Sequence, residues 1–189
     1  MWYYNNMIYY LNYGEEQLSG YNERDISQAL LKFIIDEKQV DHYLIKKEKF
    51  GKPFIEGHPF HFSISHTHGF CGIAVSDSRI GFDAEQKDRK LNNSLLKRIC
   101  TRDELNCIRG DEDALRLWVL KEACVKFTGR GIMQILEGIE LDYGTLSSKD
   151  GRLKCHMIEL DHIVMATCQE TDYSHELSIL TVKDIERYL

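Results

Sequence analysis

Three stretches hold the residues whose types and spacing could do chemistry. In IGFDAE, residues 80–85, Asp83 and Glu85 stand one residue apart within an alternating run. In a β-strand such positions share a face, so Ile80, Phe82 and Ala84 would enter a core while Gly81, Asp83 and Glu85 line something else. Farther along, DALRLWVLKEACVKF, residues 113–127, carries Lys121, Glu122 and Lys126 in a run apolar on nearly all sides. Glu122 and Lys126 lie four apart and share a helical face, where an ordinary ion pair would account for them. Burial changes the weighing, because a carboxylate away from water costs several kcal/mol unless it is paired or binds a cation. One divalent cation held by Asp83, Glu85 and Glu122 would answer the demand of all three. The set is oxygen-only, which suits magnesium, or manganese, better than zinc, and magnesium usually completes its shell with substrate phosphate. KKEKFGK, residues 46–52, gathers Lys46, Lys47, Lys49 and Lys52 directly before Pro53. A solvated loop is the plain reading of that run, and a phosphate-bearing small ligand is the sharper one.

These residues need a frame to bring them together. ERDISQALLKFIIDEKQ, residues 23–39, places Ile26, Ala29, Leu30, Phe33 and Ile34 at helical spacing. FHFSISH alternates Phe60, Phe62 and Ile64 against His61, Ser63 and Ser65, and FCGIAVS and IGFDAE follow as strands around the turn DSR. Leu91–Cys100 reads as a helix, Thr101 and Glu104 offer a capping box for another, and the run over 113–127 reads as a central buried helix stopped by Gly129 and Gly131. IELDY, HIVMATCQ and ELSILTV supply further strands, KDIERYL a short last turn, and the Tyr-rich start a first strand. The expected class is α+β, with antiparallel sheets and a long buried helix.

Composition narrows what such a frame could serve. At 189 residues and 43% hydrophobic content the chain can bury a sizeable core without staples. Six scattered cysteines without a C-x-x-C pair read as reduced thiols, and the start lacks the basic and apolar regions of a signal peptide, so a cytoplasmic protein is expected. No run approaches the ~18 consecutive apolar residues of a membrane span. A formal net charge of −6 argues against nucleic acid as a partner. His66 and His68 form an H-x-H pair with His58 and His61 nearby, which leaves a zinc hydrolase as a rival of another class, short of a third ligand at any recognised spacing.

GKPF, FSISHT, GFDAE and WVLKEACVKFTGRGI occur in this order over roughly residues 50–132. Together they resemble the 4′-phosphopantetheinyl transferases of the larger, surfactin-synthetase-activating type, whose pattern runs approximately G-K-P, F-N-x-S-H-S, G-(I/V)-D-x-E and W-x-x-K-E-(A/S)-x-x-K-x-x-G-x-G. The resemblance implies transfer of the phosphopantetheine arm of coenzyme A to a serine of an apo carrier protein, with release of adenosine 3′,5′-bisphosphate. It implies that Asp83, Glu85 and Glu122 hold magnesium, that Glu122 is the general base, that Lys126 meets the pyrophosphate or leaving group, and that Lys121 helps hold the phosphates. Ser65 and His66 fall at positions that contact the 3′-phosphate and adenosine end, and Gly51, Lys52 and Pro53 at the ligand-binding turn. The family arginine of the first helix falls at Gln28. Arg24, one turn earlier, or the lysines of residues 46–49 would take that role, or the 3′-phosphate is bound more weakly. Ser63 and Thr67 replace the usual Asn and Ser. The resemblance further implies a monomer of two similar α+β halves, residues 1–77 and 78–189, about a pseudo-twofold with coenzyme A in the cleft between them. A carrier would dock around Leu91 to Arg109 and Arg130. A relative that binds coenzyme A or a carrier without transferring the arm is the non-catalytic alternative.

Overall fold

The computed structural model describes residues 6–14, 16–131, 141–142, 147–148 and 151–189. Residues 1–5 of the Tyr-rich start, and Ile139, Glu140 and Tyr143 of the expected strand IELDY, lie outside the described residues. In chain order the elements are β1 (Met7–Asn12), α1 (Glu23–Glu37), β2 (Ile45–Lys47), β3 (Pro53–Ile55), β4 (His61–Thr67), β5 (Phe70–Ser76) and β6 (Gly81–Gln86). They continue with α2 (Asn93–Ile99), α3 (Arg102–Cys107), α4 (Asp111–Thr128), β7 (Leu141–Asp142), β8 (Ser147–Ser148), β9 (Lys154–Glu159), β10 (Ile163–Gln169), β11 (Glu176–Leu180), α5 (Val182–Ile185) and a closing 3-10 turn. The class is α+β. One sheet runs β11-β1-β5-β4, a second runs β6-β10-β9-β8-β7, and β2-β3 form a separate hairpin.

The pairing is antiparallel with one exception: β11 lies parallel to β1, with Met7 opposite Glu176 and Leu11 opposite Leu180. Nearly the whole chain separates these strands, so no hairpin fixes their direction as it does for β4-β5. The last strand thereby returns to the sheet that the first strand began.

Alternation sorts the strand residues into three cores. Tyr9, Leu11, Phe62, Ile73 and Val75 face α1, which presents Ile26, Ala29, Leu30 and Ile34 at helical spacing. Ile8, Tyr10, Phe70 and Ala74 face the second sheet, meeting Ile80, Phe82, Ala84 and Met165. On that sheet's far side Val164, Ala166 and Cys168 pack under Trp118, Val119, Ala123 and Phe127 of α4. The helix ends follow local chemistry. The Asn22 side chain accepts from the Arg24 and Asp25 amides, Thr101 and Glu104 make the expected capping box, and α4 stops at Gly129 with φ 70.

One glycine decides how closely α4 approaches. A Cβ at Gly81 would overlap the Ala123 carbonyl and the Phe127 amide, so the bare backbone of β6 lets the helix lie directly on the strand. The face of β6 that carries Asp83 and Glu85 is thus turned toward the helix that carries Glu122 and Lys126.

Candidate active site

Asp83 is 5% exposed. Its Oδ1 accepts from Lys126 Nζ at 2.8 Å and from Ser65 Oγ at 2.9 Å, while Oδ2 is buried without a hydrogen-bond partner. Ser65 also accepts from the Ala84 amide at 3.1 Å, and Ser63 accepts from the Phe82 amide at 3.0 Å, so β4 fastens β6 through two serine hydroxyls. Glu122 stands on α4 one turn before Lys126, and its carboxyl is pushed up to about 6. Burial is the main cause and the Asp83 charge adds to it, against the pull of Lys126 and Arg89. Glu85 pairs with Arg89 and accepts from Thr67 Oγ1 at 3.4 Å. The Arg89 guanidinium lies over the Trp118 ring, 5.1 Å from its centroid. Three carboxylates, one of them with an orphaned oxygen, therefore sit among two cations, Lys126 and Arg89.

The hairpin β2-β3 closes the other wall. Gly51, at φ 95, makes its turn, which a side-chain-bearing residue would adopt only with strain, and Lys52 follows with its ammonium directed inward. Lys52 Nζ donates to the Ile80 carbonyl at 2.6 Å and to the Lys126 carbonyl. Burial first, then the Arg79 charge, lowers its pKa to about 7. Arg79 grips Glu48 through both guanidinium nitrogens at 2.6 and 2.8 Å and donates to the Phe127 and Thr128 carbonyls, tying the hairpin to the end of α4. Between hairpin and helix opens a cleft of about 250 Å³, lined among others by Phe50, Lys52, Pro53, Ser63, Glu122 and Lys126. A larger cavity of about 730 Å³, lined among others by Tyr10, Tyr13, His68, Gln86 and His162, touches none of the residues expected to hold magnesium or coenzyme A.

The structure thus gathers Asp83, Glu122, Lys126, Lys52, Pro53 and Ser65 around one cleft, with Glu85 beside it. It does not bring in Lys121. That side chain is fully buried, its ammonium held by Glu104 at 2.8 Å and the Ile99 carbonyl at 2.7 Å, under α2 and α3. At about 100° per residue it points well away from Lys126. The assignment of Lys121 to phosphate binding is corrected: it is half of a buried ion pair. His66 lies on the opposite face of β4 from Ser65, paired with Glu23 at 2.9 Å beside the exposed Arg24. Neither His66, His68, His58 and His61 nor the three carboxylates Asp83, Glu85 and Glu122 form a gathered group of three metal-ligating side chains among the described residues.

Arg89, Arg79 and Glu48 escaped the reading of the sequence. Arg89 follows the strand by a turn, where neither the period of two nor that of 3.6 projects it back onto Glu85. Arg79 sat in what read only as turn residues.

Comparison with known proteins bears on what this cleft is for. Residues 79–173 match the family model of the 4′-phosphopantetheinyl transferase superfamily, half of the chain. The chain belongs to this superfamily. The matched span holds Asp83, Glu85, Glu122 and Lys126 and excludes the hairpin. Among relatives, the chain is 24% identical over 168 residues to the 4′-phosphopantetheinyl transferase psf-1 of Bacillus pumilus, covering 84% of this chain and 70% of that protein. It is 30% identical over 144 residues to the L-aminoadipate-semialdehyde dehydrogenase-phosphopantetheinyl transferase of Xenopus laevis, covering 65% of this chain and 48% of that one. It is 24% identical over 125 residues to the 4′-phosphopantetheinyl transferase gsp of Aneurinibacillus migulanus, covering 59% and 52%. The chain spans about half the length of the latter two.

Proposed function

We propose that this chain transfers the 4′-phosphopantetheine arm of coenzyme A to a serine hydroxyl of an apo carrier protein, with magnesium held by Asp83, Glu85 and Glu122. The observation that carries the reading is the convergence of Asp83, Glu122, Lys126 and Lys52 on one cleft. The donor chemistry suits the ion, since the carboxylates are oxygen donors and the buried, unpartnered Oδ2 of Asp83 and the raised carboxyl of Glu122 mark a place short of positive charge. Asp83, Glu85 and Glu122 do not form a gathered group of three ligands, and Glu85 would leave Arg89 to close on the ion. When bound, magnesium would supply Lewis-acid neutralisation of the pyrophosphate charge.

The chain's own residues do the rest. The serine oxygen attacks the phosphorus that bears the arm, the bond from that phosphorus to the bridging oxygen breaks, and adenosine 3′,5′-bisphosphate leaves. Glu122, ionised at neutral pH, accepts the serine proton. Lys126 places an ammonium group against the phosphates, where charge develops, and Lys52, whose pKa is lowered to about 7, would be drawn into its charged form by the phosphates it meets. Ser65 holds Asp83 in place, and Gly51 and Pro53 shape the turn that delivers Lys52. His66 and Arg24, grouped at the start of α1, are set to meet the 3′-phosphate, for which His66 would exchange its Glu23 partner. The two halves, residues 1–77 and 78–189, would be related by a pseudo-twofold with the ligand between them, β11 returning to complete the first sheet. The carrier would dock along residues 91–109 and Arg130, where Lys97, Arg98, Arg102 and Arg109 are exposed. Carrier proteins are usually acidic, and in a chain of net charge −6 these exposed cations would offer such a partner a complementary surface.

The test is the intact mass of apo carrier proteins after incubation with coenzyme A and magnesium. The carrier should gain one phosphopantetheine, and chelation by EDTA should stop the gain until magnesium is restored. A chain that binds coenzyme A by calorimetry yet leaves every carrier unmodified would be the non-transferring relative. Transfer that continues under chelation would remove the cation.

A further inference from the structure

Three cysteines that the proposed reaction does not use meet beneath α4. Cys155 on β9 and Cys168 on β10 are directly opposed in the antiparallel ladder, and Cys124 descends on them from the helix. Cys124 Sγ and Cys155 Sγ are 3.5 Å apart, and the sulfurs of all three lie within 4.8 Å of one another. They form the only gathered group of three or more metal-ligating side chains among the described residues. Cys124 and Cys168 are fully buried and Cys155 is 6% exposed, so Cys155 is the sulfur through which a reagent would arrive. The three belong to the apolar cluster that also holds Leu120, Ala123, Val164 and Ala166.

These surroundings select the chemistry of a ligand. Hard cations such as magnesium prefer oxygen, and sulfur alone attracts a thiophilic centre. Zinc seeks a fourth donor, and the gathered group holds three. The neighbouring imidazole, His156, sits next to Cys155 on β9 and so faces the other side of the sheet, where it packs on Tyr173 with centroids 4.4 Å apart. Charge discriminates further. Three thiolates around a monovalent or divalent ion leave net negative charge inside an apolar cluster, which costs several kcal/mol. Three thiolates around a trivalent centre leave none.

We propose that Cys124, Cys155 and Cys168 form a three-sulfur site for a trivalent thiophilic metalloid of the arsenite class. Arsenous acid and three thiols give one neutral arsenic trithiolate and three waters. Three As–O bonds break and three As–S bonds form, each thiol proton leaves on a departing hydroxide, and arsenic stays trivalent throughout. The sulfurs come from a helix and two strands already in contact, so the site is preorganised and binding fastens α4 to β9 and β10.

The experiment uses the reduced full chain with sodium arsenite. The intact mass under non-denaturing conditions should rise by one arsenic less three hydrogens, and X-ray absorption at the arsenic edge should show a shell of three sulfurs. Cys124→Ser, Cys155→Ser and Cys168→Ser should each weaken binding by about 100-fold, as expected when one arm of a multidentate contact is lost. Cys71→Ser, Cys100→Ser and Cys107→Ser should bind as the wild type does. The melting temperature of the wild type should rise with arsenite, since the ligand favours the folded arrangement. A shell of two sulfurs, equal loss in the Cys100 or Cys107 variants, or preferential uptake of zinc or copper(I) would each overturn the proposal. The absorption spectrum of the wild type decides the matter even if a buried substitution fails to fold.

Discussion

At neutral pH an ionised Glu122 opposes folding. Burial and the Asp83 charge raise its carboxyl from 4.5 in the unfolded chain to about 6 in the folded one. The folded state therefore holds the proton more tightly, so the cost is absent below about pH 4.5 and complete above about pH 6, where it reaches about 1–2 kcal/mol. Glu122→Gln should raise the melting temperature slightly at pH 7 and lower kcat by about 100- to 10,000-fold, the usual worth of a general base. Wild-type turnover in that variant, measured by carrier mass, would sink the assignment. Arg89 is the opposite case. It pairs with Glu85, rests on Trp118 and lowers the Glu122 carboxyl, so it supplies part of the positive charge this place needs. Arg89→Ala should lose about 1 kcal/mol of stability without divalent ions, and millimolar magnesium should recover most of that loss. Melting curves with and without magnesium check this. A deficit that magnesium leaves unchanged would mean guanidinium and cation do not serve the same charges.

At the scale of elements, α4 shows how two neighbouring residues come to opposite fates. Lys121 and Glu122 are adjacent in sequence, yet one turns under α2 and α3 to Glu104 and the other opens on the cleft. Lys121→Met should destabilise by about 3–5 kcal/mol, because it leaves the Glu104 carboxylate, whose side chain is 2% exposed, without its counter-ion and held by the amides of Thr101 and Leu141. At a temperature where the variant remains folded, its kcat should stay close to that of the wild type. A selective fall in kcat, with stability unchanged, would instead return Lys121 to the phosphates. Helical geometry already held part of this lesson. Glu122 and Lys126 are about 40° apart around the axis, whereas Lys121 and Lys126 are about 140° apart. The partner was harder to find, since the capping box of Thr101 and Glu104 gave Glu104 a complete local role; in the fold Glu104 both caps α3 and holds Lys121.

Across the whole molecule, what was legible from sequence is what local periodicity controls. The alternation of IGFDAE separates Phe82 and Ala84 from Asp83 and Glu85 as the cores do, and the motifs point to the cleft. The parallel return of β11 beside β1, and the joints between the sheets, depend on contacts distant in sequence that no period encodes. Gln169 is one such joint, donating to Ser76 Oγ at 2.8 Å and to Ser78 Oγ at 3.0 Å. His175 is another, placed where the chain leaves the second sheet to enter the first, with Nε2 2.9 Å from Thr167 Oγ1 and Nδ1 buried without a partner. Burial first, and the nearby His156 charge second, lower its pKa from 6.5 to about 4. An unfolded chain then takes up this proton more readily than the folded one. Stability is present above about pH 6.5 and drains away as the pH falls toward 4, by about 3 kcal/mol from this group alone. Urea unfolding of the wild type between pH 7 and pH 4 should show that slope, and His175→Gln, which can still hydrogen-bond Thr167, should flatten it. Parallel slopes in the two proteins would show that His175 is protonated without strain and that the crossing between the sheets is held by other groups.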